Sequence, residues 1–307
     1  MRIVVALGGN ALLRRGQPMN AANQLANVQR AAAQIALIAE GNELVVTHGN
    51  GPQVGLLALQ SAKSAEAGFP LDVLGAEAEG MVGYLLEQEL NNVLPGRTVV
   101  TLLTRTEVSE DDPAFSLPTK PIGPVYTRVE SERVASAMHW TMVADGPAFR
   151  RVVPSPKPRR VLSVQPIEWL LGHGALVIAV GGGGIPVAQA RGGGTKLHGV
   201  EAVIDKDAAS SMLARQLFAD CLLIATDVEA VFLDFGLKTQ RAVTGAAPTA
   251  FSRSSFAAGS MAPKVEAACE FVEATGRRAA IGSLEHIDGM LLGNAGTQIT
   301  TDGAHVL

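Results

Sequence analysis

The sequence predicts an α/β fold, an open and mostly parallel central sheet sandwiched by helices. Three observations lead there. Short apolar runs rich in valine and isoleucine alternate with longer stretches of helical periodicity, as in sheets whose strands are buried on both faces. Three of these runs end in glycine loops: IVVAL into Gly8-Gly9-Asn10, LVVTH into Gly49-Asn50-Gly51, and ALVIAV into Gly181-Gly182-Gly183-Gly184. The composition, 47% hydrophobic and 18% charged over 307 residues, supplies enough core for two lobes or one large unit and excludes a disordered or fibrous chain.

In chain order, strands are expected at Arg2 to Leu7, Leu44 to Thr47, Thr98 to Leu103, Ala175 to Val180, Cys221 to Thr226 and Arg278 to Ile281, all of them short apolar runs. Helical patterns fill the intervals. Ala21 to Glu40 stops at Gly41, Val54 to Ala67 follows the second glycine loop, and Asp72 to Val93 stops before Pro95-Gly96. Asp207 to Phe218 has Asp207 as its expected N-cap, and Pro263 to Thr275 stops at Gly276. Eight of the sixteen prolines fall between Pro113 and Pro158. Proline fixes φ and carries no amide donor, so this segment is no interior strand or helix of the sheet. It is expected to leave the fold, either as a surface loop or as a stiff lid over a site.

Composition narrows the function. With 25 basic and 29 acidic residues the net charge is −4, and nine Phe, two Trp and two Tyr are too few for a base-stacking surface, so no nucleic-acid partner is expected. Residues 1–160 are electrically balanced and residues 161–307 carry the whole net charge of −4, so neither part binds polyanions by bulk charge. Trp169 to Ala190 has no formal charge, yet six glycines, His173 and Pro186 interrupt it, and it reads as a buried strand plus loop with no membrane role. Two cysteines, Cys221 and Cys269, make neither a disulfide framework nor a zinc site, and no export signal is visible. A cytoplasmic location is expected.

Glycine loops at the carboxyl ends of strands in an open sheet expose amides to anions, and three of them point toward phosphate. Lysine usage adds to this: of the 25 basic residues only seven are lysines, and three lie in tight motifs. These are Lys120 in PTKPIGP, Lys206 in VIDKD and Lys264 in GSMAPK. Each alone reads as a solvated surface lysine. Together with the loops they suggest neutralisation of transferring phosphoryl oxygens, a reaction that needs cations and positioning more than a base. Other nucleotide signatures fail. The chain has no Gly-Lys dipeptide and hence no Walker A loop, Asp234-Phe235-Gly236 has no His-Arg-Asp partner motif, and Gly49-Asn50-Gly51 with Gly55 and Asp72 is only a loose dinucleotide fingerprint. Asp205 and Asp207 flank Lys206 and read either as helix caps or as carboxylates that hold lysines or magnesium. His48 beside Gly49 is expected in structural hydrogen bonding. No metal-ligand cluster and no Ser/His/Asp or Cys/His arrangement is indicated.

Seven motifs closely resemble the carbamate kinases of the amino acid kinase superfamily: VVALGGNAL, HGNGPQVG, PTKPIGP, RRVVPSPKP, GGGGIPV, GVEAVIDKD and GSMAPKVEAA. They span nearly the whole chain, and PTKPIGP with VVPSPKP resembles the lid that sets carbamate kinases apart from acetylglutamate and uridylate kinases. The resemblance implies one amino acid kinase domain over 1–307, with an eight-stranded sheet, an acceptor-side lobe at about 1–160 that carries a protruding lid at about 111–158, and a nucleotide-side lobe at about 161–307. It also implies a homodimer, with magnesium and ATP or ADP, that transfers a phosphoryl group reversibly between ATP and carbamate. Formation of ATP from carbamoyl phosphate in arginine or purine breakdown belongs to the same expectation. By motif, Gly8, Gly9, Asn10, Gly49, Asn50 and Gly51 would cradle carbamate and the transferring group. Lys120, Lys206 and Lys264 would neutralise its oxygens, with Asp207 orienting the lysines. Gly181, Gly182, Gly183, Gly184, Asp205, Thr226, Asp227 and Met261 would lie around the nucleotide. The chain departs from the family at Ala148-Phe149, where Gly-Trp is usual, and in the glycine-rich stretch Ala190 to Lys196. Two rival readings stay open: another carboxylate kinase of the superfamily, such as an acetylglutamate kinase, and a catalytically silent nucleotide or carbamoyl-phosphate sensor. A dehydrogenase is a distant third.

Overall fold

The computed structural model describes residues 1–13, 16–64, 68–190, 195–251, 256 and 261–303, with Asn10, Ala11 and Ser64 through their backbone alone. Parts of two motifs, the stretch from Ala190 to Lys196 and the start of GSMAPK, reach beyond these residues. The central sheet has eight strands, here β1 (Arg2–Leu7), β2 (Glu43–His48), β3 (Val99–Thr101), β4 (Leu176–Ile178), β5 (Cys221–Thr226), β6 (Gly245–Ala246), β7 (Arg278–Ser283) and β8 (Thr297–Ile299). Their order is β6-β8-β7-β5-β1-β2-β4-β3, and every neighbouring pair is parallel except β7 with β8.

Nine helices occur among the described residues: α1 (Gly9–Leu12), α2 (Ala21–Ala36), α3 (Gly51–Ser64), α4 (Leu71–Val93), α5 (Arg128–Met138), α6 (Val164–Gly172), α7 (Lys206–Gln216), α8 (Ala262–Thr275) and α9 (Ile287–Leu292). Successive side chains of a strand point to opposite faces, so β1 feeds two cores. Ile3, Val5 and Leu7 pack with Val28 and Ile35 of α2, Leu86 and Leu90 of α4 and Met290 of α9. Val4 and Ala6 pack on the other side with Leu213 of α7 and with Phe271 and Val272 of α8. No described helix is long and apolar enough to cross a membrane.

All six expected strands form: β1 and β5 keep their expected bounds, β2 and β7 run longer, to Glu43–His48 and Arg278–Ser283, and β3 and β4 are shorter where the chain turns out of the sheet. β3 is an edge strand, and Leu103 beyond it is exposed. β4 stops because Val180 enters the left-handed region at φ 56°, a costly conformation for a β-branched residue. The helix expected to reach Glu40 ends at Ala36, where the backbone tightens into i→i+3 bonds such as Ala39 N to Ala36 O, and the Arg97 guanidinium takes the Ala39 carbonyl. α3 starts at Gly51 itself, so the second glycine loop leads straight into its first turn. The expected cap of α7 is corrected: Asp205 is the N-cap, its Oδ1 accepting from the amides of Asp207 and Ala208, while Asp207 lies inside the first turn. Asp207 is thereby free of capping, and its carboxylate turns to other partners.

The proline-rich segment leaves the fold between two strands that pair antiparallel at its base, Arg105–Val108 and Arg160–Val161. It carries a small sheet of its own, ordered Lys120–Tyr126, Ala148–Val153, Met142–Asp145, together with α5. PTKPIGP thus contributes a strand, which prolines permit because it is an edge strand with a bulge between Ile122 and Tyr126. The Arg128 guanidinium lies 5.3 Å from the centre of the Phe149 ring and that of Arg151 lies 3.9 Å from the centre of Trp140, so Phe149 packs against a cation inside the lid.

Candidate active site

The carboxyl ends of β5, β1, β2 and β4 lie side by side, and the three glycine loops emerge there in mutual contact. Gly8 N donates to Ala225 O at 2.8 Å and Gly49 N to Leu7 O at 3.2 Å, which ties the first two loops to neighbouring strands. A Cβ on Gly49 would come within 3.2 Å of Gly9 Cα, and one on Gly182 within 2.1 Å of Asn50 Oδ1. Side chains at these glycines would push the loops apart. Gly183 is equally tight, 2.7 Å from Ile204 O by the same construction, so the third loop also abuts the segment leading to α7.

The third loop is held by a carboxylate that sequence reasoning missed. Glu79 of α4 accepts from Gly181 N at 2.9 Å through Oε1 and from Thr104 N at 3.1 Å through Oε2, and the Thr104 hydroxyl accepts from Val180 N at 3.1 Å. Burial raises the Glu79 pKa to about 8 against the opposing pull of these amides. The signal lay in α4: Glu79 stands three residues before Val82 and seven before Leu86, on the helix's apolar side, where a charged residue needs a partner. His48 is also fully buried, its Nδ1 donating to Gly49 O at 3.2 Å, and burial lowers its pKa to about 4. It is therefore a neutral structural imidazole.

Lysines and aspartates gather at the start of α7. Lys206 is the first residue of that helix, and its ammonium donates to Asp207 Oδ1. Lys264, in the first turn of α8, donates to Asp207 Oδ2 at 3.0 Å. Lys120, at the start of the lid strand, donates to Asp205 Oδ2 at 2.5 Å. Asp207 is 3% exposed and Lys206 8% exposed. Burial by itself would raise the Asp207 pKa, but Lys206 and Lys264 outweigh it and hold the carboxylate well below the usual range. Burial draws Lys206 below its ordinary value, whereas at Lys264 burial is outweighed by Asp207, Asp205 and Asp227 together, which raise it. The result is a compact cationic centre ordered by one doubly engaged carboxylate. Thr47 at the end of β2 pairs with Ser210 at 2.6 Å, and Ser210 donates to Lys206 O, which fastens this turn of α7 to the sheet.

Thr226 ends β5, and its hydroxyl donates to Asp227 at 3.1 Å; Met261 is the N-cap residue of α8, and its carbonyl accepts from Lys264 N at 3.1 Å. The four glycines from Gly181 are also expected around the nucleotide. They pack against His48, Glu79, Asn50, Ile204 and Thr106, on the side of the first two loops. The lid closes over the same region: Ile122 is buried with Val54, Leu71, Leu74 and Val203, and Val203 N donates to Pro154 O at 3.0 Å. Its approach to α3 is close enough that a Cβ on Gly55 would lie 2.0 Å from Gly123 Cα.

The profile of the amino acid kinase family matches residues 1–283. The chain belongs to the amino acid kinase family. Among amino acid kinases it stands with the carbamate kinases: it is 55% identical to carbamate kinase of Haemophilus influenzae, covering 98% of this chain and 97% of that one. The carbamate kinase of Rhizobium meliloti is 54% identical, over 98% and 94% of the two chains. The solved carbamate kinase of Giardia lamblia bound to AMP-PNP superimposes with a TM-score of 0.87 at 38% identity, covering 97% of this chain and 98% of that one. An amino acid kinase of this kind is a phosphotransferase, and the superposition shows that the two proteins share one fold.

Proposed function

We propose that the protein moves a phosphoryl group reversibly between ATP and carbamate, with Lys120, Lys206 and Lys264 neutralising the oxygens in transfer and Asp207 orienting the lysines. The observation that carries this reading is the convergence of Lys206 and Lys264 on the two oxygens of Asp207, beside three glycine loops at adjacent strand ends. In the direction of carbamoyl phosphate synthesis, a carbamate oxygen attacks the γ-phosphorus as the bond from that phosphorus to the β–γ bridging oxygen breaks. ADP leaves with the bridging electrons, and no proton moves. Carbamate is already an anion, so the chemistry calls for positive charge and alignment and no general base.

In this reading Gly8, Gly9, Asn10, Gly49, Asn50 and Gly51 cradle carbamate and the transferring group, and Gly182 packs against Asn50 of that cradle. Thr226, Asp227 and Met261 form the nucleotide side, joined to the acceptor side through Lys264 and Asp207. The nucleotide would be taken as its magnesium complex, the ion supplying positive charge against the phosphate oxygens. Asp205 and Asp207 are engaged by lysines. A homodimer fits the exposed Val73, Met81 and Tyr84, which share one face of α4. A cytoplasmic location fits two thiols, Cys221 and Cys269, that are buried inside the fold.

The test is ATP formation from ADP, magnesium and carbamoyl phosphate by the purified protein, with Lys206→Ala as control. Activity that the substitution abolishes supports the reading. Silence with ADP still binding would overturn it in favour of a larger carboxylate acceptor or a nucleotide sensor.

A further inference from the structure

We propose that Asp205 is a positioning residue that caps α7 with one carboxylate oxygen and latches the lid lysine Lys120 over the reacting groups with the other. This rests on the reading of the lysine cluster as a phosphoryl-transfer centre.

The two oxygens have separate partners. Oδ1 accepts from Asp207 N at 2.9 Å and Ala208 N at 3.2 Å, and Oδ2 accepts from Lys120 Nζ at 2.5 Å. The cap places the turn that carries Lys206 and Asp207, so one side chain refers the lid cation and the core cation to a common point. A lysine stem has four rotatable carbons and no geometric preference of its own, so a cation that must meet a phosphoryl oxygen needs an external partner to hold it. An ammonium has three N–H groups, and engagement by Asp205 leaves two for substrate.

The latch is not what docks the lid. Docking is already supplied by Ile122 in its apolar pocket, by the approach of Gly123 to Gly55, and by Val203 N on Pro154 O. The Lys120 and Asp205 side chains retain 27% and 25% exposure, and the solvent that reaches the pair weakens its part in folding. Its consequence is therefore the position of Lys120 and not the stability of the chain. Asp205 was expected around the nucleotide; the contact with Lys120 assigns it to the lid.

The experiment uses the full chain with Asp205→Asn and Asp205→Ser, alone and combined with Lys120→Met. Asn and Ser both keep a capping oxygen, and neither keeps an anion opposite Lys120. In ATP formation from ADP and carbamoyl phosphate, each single Asp205 variant is expected to lose about 10- to 100-fold in kcat, with KM for ADP within about threefold and Tm nearly unchanged. In the Lys120→Met background the same substitution is expected to cost less than about twofold, because the group it positions is gone. Wild-type kcat in both Asp205 variants overturns the latch, as does a loss of equal size with and without Lys120. A drop in Tm that accounts for the lost activity in both variants also overturns it, in favour of a cap alone. A silent wild type overturns the phosphoryl-transfer reading itself, and the latch with it.

Discussion

Replacing Gly55 by alanine tests how closely the lid must approach the core. Gly55 lies in α3, and a Cβ there would sit 2.0 Å from Gly123 Cα and 2.2 Å from Gly123 N, both backbone atoms of the lid strand. Carbon atoms in ordinary contact stay about 3.5–4.0 Å apart, so the strand must withdraw by roughly 1.5–2 Å. Lys120 is three residues away on the same strand and moves with it. Misplacement of a catalytic group by about 1 Å costs on the order of 100-fold, so kcat should fall by at least about 100-fold. The fold should survive, because the chief loss is partial exposure of Ile122, and burying such a side chain fully is worth about 1.5–3 kcal/mol. A Tm decrease of a few degrees follows. The assay is steady-state ATP formation from ADP and carbamoyl phosphate beside a thermal melt, with Gly80→Ala as control. Gly80 lies within α4 with nothing within 4 Å of its would-be Cβ, so alanine there should leave kcat unchanged and raise Tm slightly. A Gly55→Ala enzyme that keeps kcat within about threefold of wild type would refute the reasoning, since the lid would then tolerate a displacement its lysine should not.

Two further expectations follow from the same cluster and its neighbours. Lys264→Ala should lower turnover by orders of magnitude and leave the fold intact, because Asp207 keeps Lys206 as its buried counter-ion; near-wild-type turnover would remove Lys264 from the mechanism. Glu79→Gln should change how stability depends on pH. Glu79 titrates at about 8 in the folded chain against 4.5 as its ordinary value, so the unfolded chain releases that proton first, and its contribution to stability falls between about pH 4.5 and 8. The full excursion is on the order of 5 kcal/mol at most. Glutamine cannot titrate, but it leaves one of the two amides without an acceptor, so the variant should be the less stable near pH 5 and close the gap toward pH 8. His48 acts in the opposite sense, costing stability as pH falls from 6.5 toward about 4, and cancels in the comparison. A gap that does not change with pH in urea melts would show that Glu79 keeps one protonation state throughout.

Much of this protein was legible in its residues. Strands such as β1 and β5, buried on both faces, must be continuously apolar, and helices between them must show a 3.6-residue period, so the α/β layering followed from pattern. The three lysines and the three glycine loops stood out because few residue types suit such places: glycine where two backbones touch, lysine where a point charge is needed. What pattern could not supply was which oxygen meets which cation. Asp205 and Asp207 are equivalent as letters flanking Lys206, and only the turn into α7 makes one the cap and leaves the other to two lysines. The partners of Glu79 were hidden for a related reason, since Thr104 and Gly181 lie 25 and 102 residues away and meet it only when α4 packs across the sheet. Gly55 and Gly123 are another such pair, ordinary in sequence and in backbone contact in space. Composition and periodicity are local averages and determined the layers and the kinds of chemistry available. Pairing across long loops is set by packing, and so only the tertiary structure decided how the charges are shared.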